Sequence, residues 1–315
     1  MTIFEYLRDL TPAEIKANGY KLPDIDIEKG EKWVPGAYEG ILLRSDMRFK
    51  YHAMVNYFTA KKIKKQVLKP SEAHRNKLLS RLEKDSAISI VDPMCSFCVA
   101  FKLTKSDEKK AALREFALDL IKNVNKREIV KLGIALLGIC GKKEDLELIK
   151  PLGFHDEFTL YVSGTVCRLS EGDEKNKYLF ELLENVSGWG KIAVLFDIDY
   201  TKDDARLKVI KYGCRNDIAY SYAANVCAIK GKMHEILKQM SENNFNEDEE
   251  KIVFSGICDI FMGLINAKER QDGLNEYPYA RESATLFSQI CQDKPYLTED
   301  SERINKILNG IKFII

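Results

Sequence analysis

The sequence predicts an all-α fold of successive helix pairs behind an irregular N-terminal cap. Three observations carry this. From about residue 106 onward, apolar residues recur at helical spacing and no period-two stretch appears. The helical segments are short, about 9 to 17 residues, and are joined by two to six. Cys140, Cys167, Cys227 and Cys258 fall at or near segment ends, 27, 60 and 31 positions apart, which points to a degenerate repeat near 30 residues. One short pair cannot bury its own apolar face, whereas stacked pairs share a continuous interior. An irregular globular helical domain is the alternative.

Taken in order, residues 1–95 read as a cap. Asp24 to Gly30 is a loop, and Pro23 and Pro35 break regularity nearby. The strand candidates are confined to this third of the chain: 33–43 (WVPGAYEGILL) and 87–91 (AISIV). Residues 45–68 form an amphipathic helix with Met54, Val55, Phe58 and Ile63 on its apolar positions, and Pro70-Ser71 opens another. Residues 96–315 then form the repeats, continuous with the cap in one domain. Ser106 caps a helix carrying Leu113, Phe116, Ala117, Leu120 and Ile121. Arg127 to Cys140 follows, closed by Gly141 in the left-handed conformation. A short helix with Leu146 and Ile149 is stopped by Pro151 and Gly153. Further helices cover DEFTLYVSGTVCRL and KNKYLFELLENV, the latter stopped by Ser187 and Gly188. Thr201 and Asp204 resemble a capping box opening a helix that Gly213 closes, and Asn216 or Asp217 caps the next.

Composition narrows the function classes. The chain has 315 residues, 49 Lys+Arg against 48 Asp+Glu, and a net charge of +1. No apolar run approaches the ~18 residues of a membrane span, and the N-terminus does not read as a signal peptide. Eight cysteines sit largely inside apolar helical text, as small buried hydrophobes in a reduced, cytoplasmic protein. No membrane partner, cofactor or metal is expected.

The stretch from Gly188 to Leu237 is the most distinctive. It runs Gly-Trp-Gly-Lys-Ile, then a short helix, then Gly213-Cys-Arg-Asn-Asp-Ile, then Tyr-x-Ala-x-x-Cys-Ala-x-x-Gly ending at Gly231. This order resembles a group of uncharacterised bacterial proteins built of HEAT-like repeats. The resemblance is close over about 50 residues, and the repeat character extends over roughly 200. It implies a HEAT/armadillo-like right-handed α-solenoid and carries no activity with it. Physically, Gly188 and Gly190 allow the Trp189 ring to pack tightly beneath the backbone. A ligand-facing surface on Trp189, Lys191, Arg215, Asn216, Tyr220 and Tyr222 is the functional reading; packing and capping roles are the alternative.

Few motifs carry chemistry. VLFDIDYT (194–201) has the Asp-x-Asp-x-Thr of a Mg²⁺-dependent phosphatase, with Asp197 as nucleophile and Asp199 as acid/base, but that chemistry needs a strand end and the flanks are helical. Cys95-Ser-Phe-Cys98 lacks the second close pair of a zinc site, and a redox role needs a strand before it. The four histidines are scattered, and no catalytic residue is assigned. Charge is uneven: residues 47–82 hold ten basic side chains and one acid, Glu72. This basic face includes Arg48, Lys50, Lys61, Lys62, Lys64, Lys65, Lys69 and Arg75, with aromatics interleaved. It suits phosphate backbones or an acidic protein, unless it is a solvated face paired with acids such as Glu247 to Glu250. The leading expectation is a non-catalytic binding or scaffold module holding a protein or peptide on a concave face. A DNA-binding or alkylpurine-glycosylase-like repair protein using residues 47–82 is the alternative, and the phosphatase at Asp197 a second.

Overall fold

The computed structural model of the chain describes residues 1–24, 33–43, 53–267 and 273–315. Arg48, Lys50 and the start of the helix expected from residue 45 lie outside the described residues. All regular structure among the described residues is helical. No described helix is long and apolar enough to cross a membrane. The chain divides into two compact units, Met1–Ala193 and Val194–Ile315. Residue 95, the expected end of the cap, falls inside a helix of the first unit.

The first unit opens with α1 (Ile3–Leu7) and α2 (Pro12–Ala17). Each starts at a capping box, Thr2 with Glu5 and Thr11 with Glu14, which satisfies backbone donors at helices too short to persist alone. α3 (Ala37–Leu42), α4 (Ala53–Leu68), α5 (Glu72–Leu82) and α6 (Ala87–Ala100) follow. Next come α7 (Asp107–Asn123) packed with α8 (Arg127–Cys140), α9 (Asp145–Gly153) packed with α10 (Asp156–Leu169), and α11 (Gly172–Asn185) packed on α10; α12 (Trp189–Asp197) carries the chain across the boundary at Ala193. Ser71 and Ser106 cap α5 and α7 as their side chains predict. α8 buries eleven of its fourteen residues, so it is the central rod, with α6, α7 and α10 packed around it.

The second unit contains α13 (Asp203–Tyr212), α14 (Ser221–Lys230), α15 (Met233–Ser241), α16 (Glu247–Asn266), α17 (Ala280–Asp293) and α18 (Ser301–Ile311). α16 takes the central place here, contacted by α13, α14 and α18. Phe287 of α17 stacks on Phe254 at 5.2 Å and meets Phe261 edge-on at 4.9 Å.

Several local expectations need correction. Residues 37–42 and 87–100 are helical, not strands: a short apolar run is ambiguous in period, and packing decides it. Glu128 reaches the N-terminus of α6, accepting from Ala87 N–H at 2.5 Å. Gly141 and Gly213 have negative φ, so neither is a left-handed stop. Pro151 sits within the last turn of α9. Lys202, not Thr201, occupies the cap of α13 and makes no side-chain cap. Met54, Val55 and Phe58 of α4 face outward; only Ile63 of the four expected apolar positions is buried.

Candidate functional site

The six residues of the expected ligand face divide between the two units. In the first, Trp189 is buried, and its ring lies against Gly40 so closely that a Cβ there would overlap it. Gly188 and Gly190 N–H both donate to Asp156 Oδ1, at 3.0 and 2.7 Å. The Gly-Trp-Gly motif therefore clamps a buried carboxylate at the start of α10. Lys191 is half-buried in α12.

In the second unit, Arg215 and Tyr220 meet at a cleft of about 470 Å³. Asn216 explains how they reach it. Its side chain is buried, accepts from Ile218 N–H and Ala219 N–H at 2.9 and 2.8 Å, and donates to Cys214 C=O at 2.8 Å. This folds residues 214–219 into a fixed turn that places Arg215 on one side and Tyr220 at the start of α14. Asn216 thus organises the site rather than lining it, and Tyr222, two residues beyond Tyr220, is half-buried and outside the cleft lining.

Sequence reasoning missed the floor of the cleft. Asp259 of α16 is buried and accepts from Arg215 Nε at 3.2 Å. Arg303 of α18 donates to the other Asp259 oxygen and to Ser255 C=O at 2.8 Å. Asp259 and the Tyr220 phenol hold the Arg215 guanidinium charged, against the opposing effect of burial. Two guanidiniums share one carboxylate, so the cleft keeps a positive excess and unused N–H donors. Ser221, Met262 and Asn266 complete the wall. No histidine or cysteine lines it, and its one carboxylate is already held by cations. The arrangement suits holding an anionic group rather than transferring a proton. Arg215, Asp259 and Arg303 follow one another at steps of 44 positions, a spacing that the period near 30 does not contain.

A second polar cluster lies inside the first unit. Lys131, the one cation among the apolar residues of α8, is fully buried. Its Nζ lies 2.5 Å from Glu39, 2.8 Å from Glu128 and 2.6 Å from Glu157. Burial opposes its charge, yet the three carboxylates together raise its pKa well above the ordinary value. Glu157 is lowered to about 2 because Lys131 and Arg127 outweigh its burial. Glu39 is raised, chiefly by burial. The three acids stand close enough to hold a cation. The Lys131 ammonium supplies that charge, so the cluster is a closed ion cage. It anchors α3 to α8 and α10.

The remaining expectations are placed as follows. Asp197 ends helix α12, and Asp199 accepts from Thr201 N–H at 3.0 Å; the strand end that phosphatase chemistry requires is helix and turn here. Cys95 and Cys98 are buried on α6, and burial pushes the Cys95 thiol up to about 11 and Cys98 further in the same direction. Both remain protonated at neutral pH and are poor nucleophiles. Arg75 is committed to a bidentate pair with Asp119. Lys61, Lys62, Lys65 and Lys69 are exposed, and Lys64 is half-buried. No family model, curated protein or solved structure matches the chain.

Proposed function

We propose that the chain is a non-catalytic, HEAT/armadillo-like solenoid module that holds an acidic protein or peptide segment in the cleft of its second unit. The sharing of buried Asp259 by Arg215 and Arg303 carries this reading. It fixes two guanidiniums at an open site and leaves their remaining donors for a second carboxylate. Tyr220 and Met262 supply apolar area beside the charge, the combination found at interface anchors. The solenoid reading draws support from like-with-like packing: α8 on α10, α14 on α16, α16 on α18, and α15 on α17. It agrees with the resemblance to bacterial HEAT-like proteins. None of the eight cysteines is joined in a disulfide, as suits a reducing cytoplasm.

The test is binding of extended Asp/Glu-rich peptides, with basic peptides of equal length as control. Arg215→Glu should weaken the acidic peptide by at least about tenfold. Because the Arg215 side chain is 63% exposed, the fold should survive the change. Equal affinity for both peptides, or indifference to Arg215→Glu, would remove the reading.

A further inference from the structure

α4 packs with its polarity partly inverted. The buried side contains Asn56, Thr59 and Gln66 beside Ala60, Ile63 and Val67. The outward side begins with Met54, Val55 and Phe58, which are 74%, 42% and 55% exposed. It continues with Lys61, Lys62, Lys65 and Lys69. The helix contains no acid, and none of these lysines forms an ion pair among the described residues. The arginines of neighbouring α5 differ: Arg75 is paired with Asp119 and Arg81 with Asp85. The end of α6 adds Val99, 52% exposed, and the half-buried rings of Phe97 and Phe101. Among the described residues this face finds no counter-charge and leaves its apolar side chains largely uncovered, and such patches mark interaction sites.

The ring geometry separates the anionic partners. A nucleic acid strand would stack bases on exposed ring faces. Here Lys61 Nζ sits 4.5 Å over Tyr57 and Lys64 Nζ 5.2 Å over Phe101, while Phe97 stacks on Phe101 at 5.9 Å. Those rings are engaged within the chain, Met54, Val55 and Val99 offer nothing planar, and of the rest Phe58 alone presents an exposed ring, where a bound strand would need a row of them. We propose that this face of α4 and the end of α6 docks on an anionic lipid bilayer. Met54, Val55, Phe58 and Val99 enter the headgroup–acyl boundary, and the lysines meet acidic headgroups. The exposed set runs from residue 54 to 69, roughly 22 Å along the helix axis, so α4 lies flat on the surface. Its other side stays packed on α5, α6 and α7. The contact is interfacial and independent of the peptide cleft.

The full chain is sedimented with phosphatidylcholine vesicles with and without phosphatidylserine. Binding should require phosphatidylserine and fall with salt. Lys62→Gln, Lys65→Gln and Lys69→Gln together should weaken it by at least about tenfold. Met54→Ser with Phe58→Ser should also weaken it while leaving the salt dependence in place. All five positions are exposed, so unchanged circular dichroism is expected for both variants. Absence of phosphatidylserine-dependent binding at low salt, or binding that survives both variants, overturns the proposal. So does tighter binding of a single-stranded oligonucleotide through the same lysines, which would assign the face to nucleic acid.

Discussion

His155 is kept neutral by what its two ring nitrogens touch. Nδ1 accepts from Glu157 N–H at 3.2 Å, so Nε2 carries the proton and donates to Tyr20 C=O at 3.0 Å. A second proton on Nδ1 would face an N–H donor. Burial accordingly lowers the His155 pKa to about 4. In the unfolded chain the group titrates near 6.5, so there the proton is taken up first as pH falls. Stability is full above that point and declines until pH reaches about 4, by about 3 kcal/mol for this group. Glu39 acts oppositely, since its raised pKa makes the folded state gain protons before the unfolded one. The clean measurement is therefore a difference: urea unfolding of wild type and His155→Gln from pH 7 to 4. The variant should lose most of the wild-type slope, and parallel curves would show His155 titrating like an exposed ring. Nothing in the sequence marked His155. Trp189 was marked, but its partners Gly36 and Gly40 lie some 150 positions away, beyond the reach of local pattern.

At the scale of elements, the helices from α7 to α11 meet at a repeated step. Arg114 pairs with Asp145, Lys143 with Glu174, and Lys150 with Glu181; Tyr178 donates to Glu147, and Thr165 to Ile134 C=O. Each partner is 31 positions from the other. The cysteine spacing indicated nearly this period because buried small residues recur wherever helices cross closely. The second unit steps by 44 between Arg215, Asp259 and Arg303, and a single period fitted to the whole chain could not find it. Besides the two apolar runs read as strands and the outward face of α4, the failures were terminal details, such as the conformations of Gly141 and Gly213 and the cap of α13, where one turn of backbone outweighs side-chain preference. The rungs should also differ in strength. Asp145 is buried, takes two bonds from Arg114 and one from Lys142 N–H at 2.7 Å. Arg114→Ala should cost about 2–4 kcal/mol in urea unfolding, because the carboxylate loses its only bidentate partner. Lys143→Ala removes a rung open to solvent and should cost under about 1 kcal/mol. Equal costs would mean that burial does not grade the ladder.

For the molecule as a whole, a net charge of +1 hides how its charges are used. The acids at the start of α16 were candidates to neutralise the basic helix. They are engaged inside their own unit instead: Glu247 with Lys251, Glu249 with Lys211, and Glu250 with Lys294 and Tyr296. Helical periodicity made the all-α class readable, but the ion cage draws Glu39 from α3, Glu128 and Lys131 from α8 and Glu157 from α10, three separate segments. One lysine in apolar text was its only trace. Each unit has a core of its own, around α8 in one and α16 in the other. Lys131→Met leaves three carboxylates around an apolar side chain, a loss of about 3–5 kcal/mol to the first unit. Amide exchange followed by mass spectrometry should then accelerate in α8 and α10, while α16 and α18 keep their protection. If protection falls by the same factor in both sets, the chain unfolds as one cooperative body. The local cores would then not be the units in which its stability is stored.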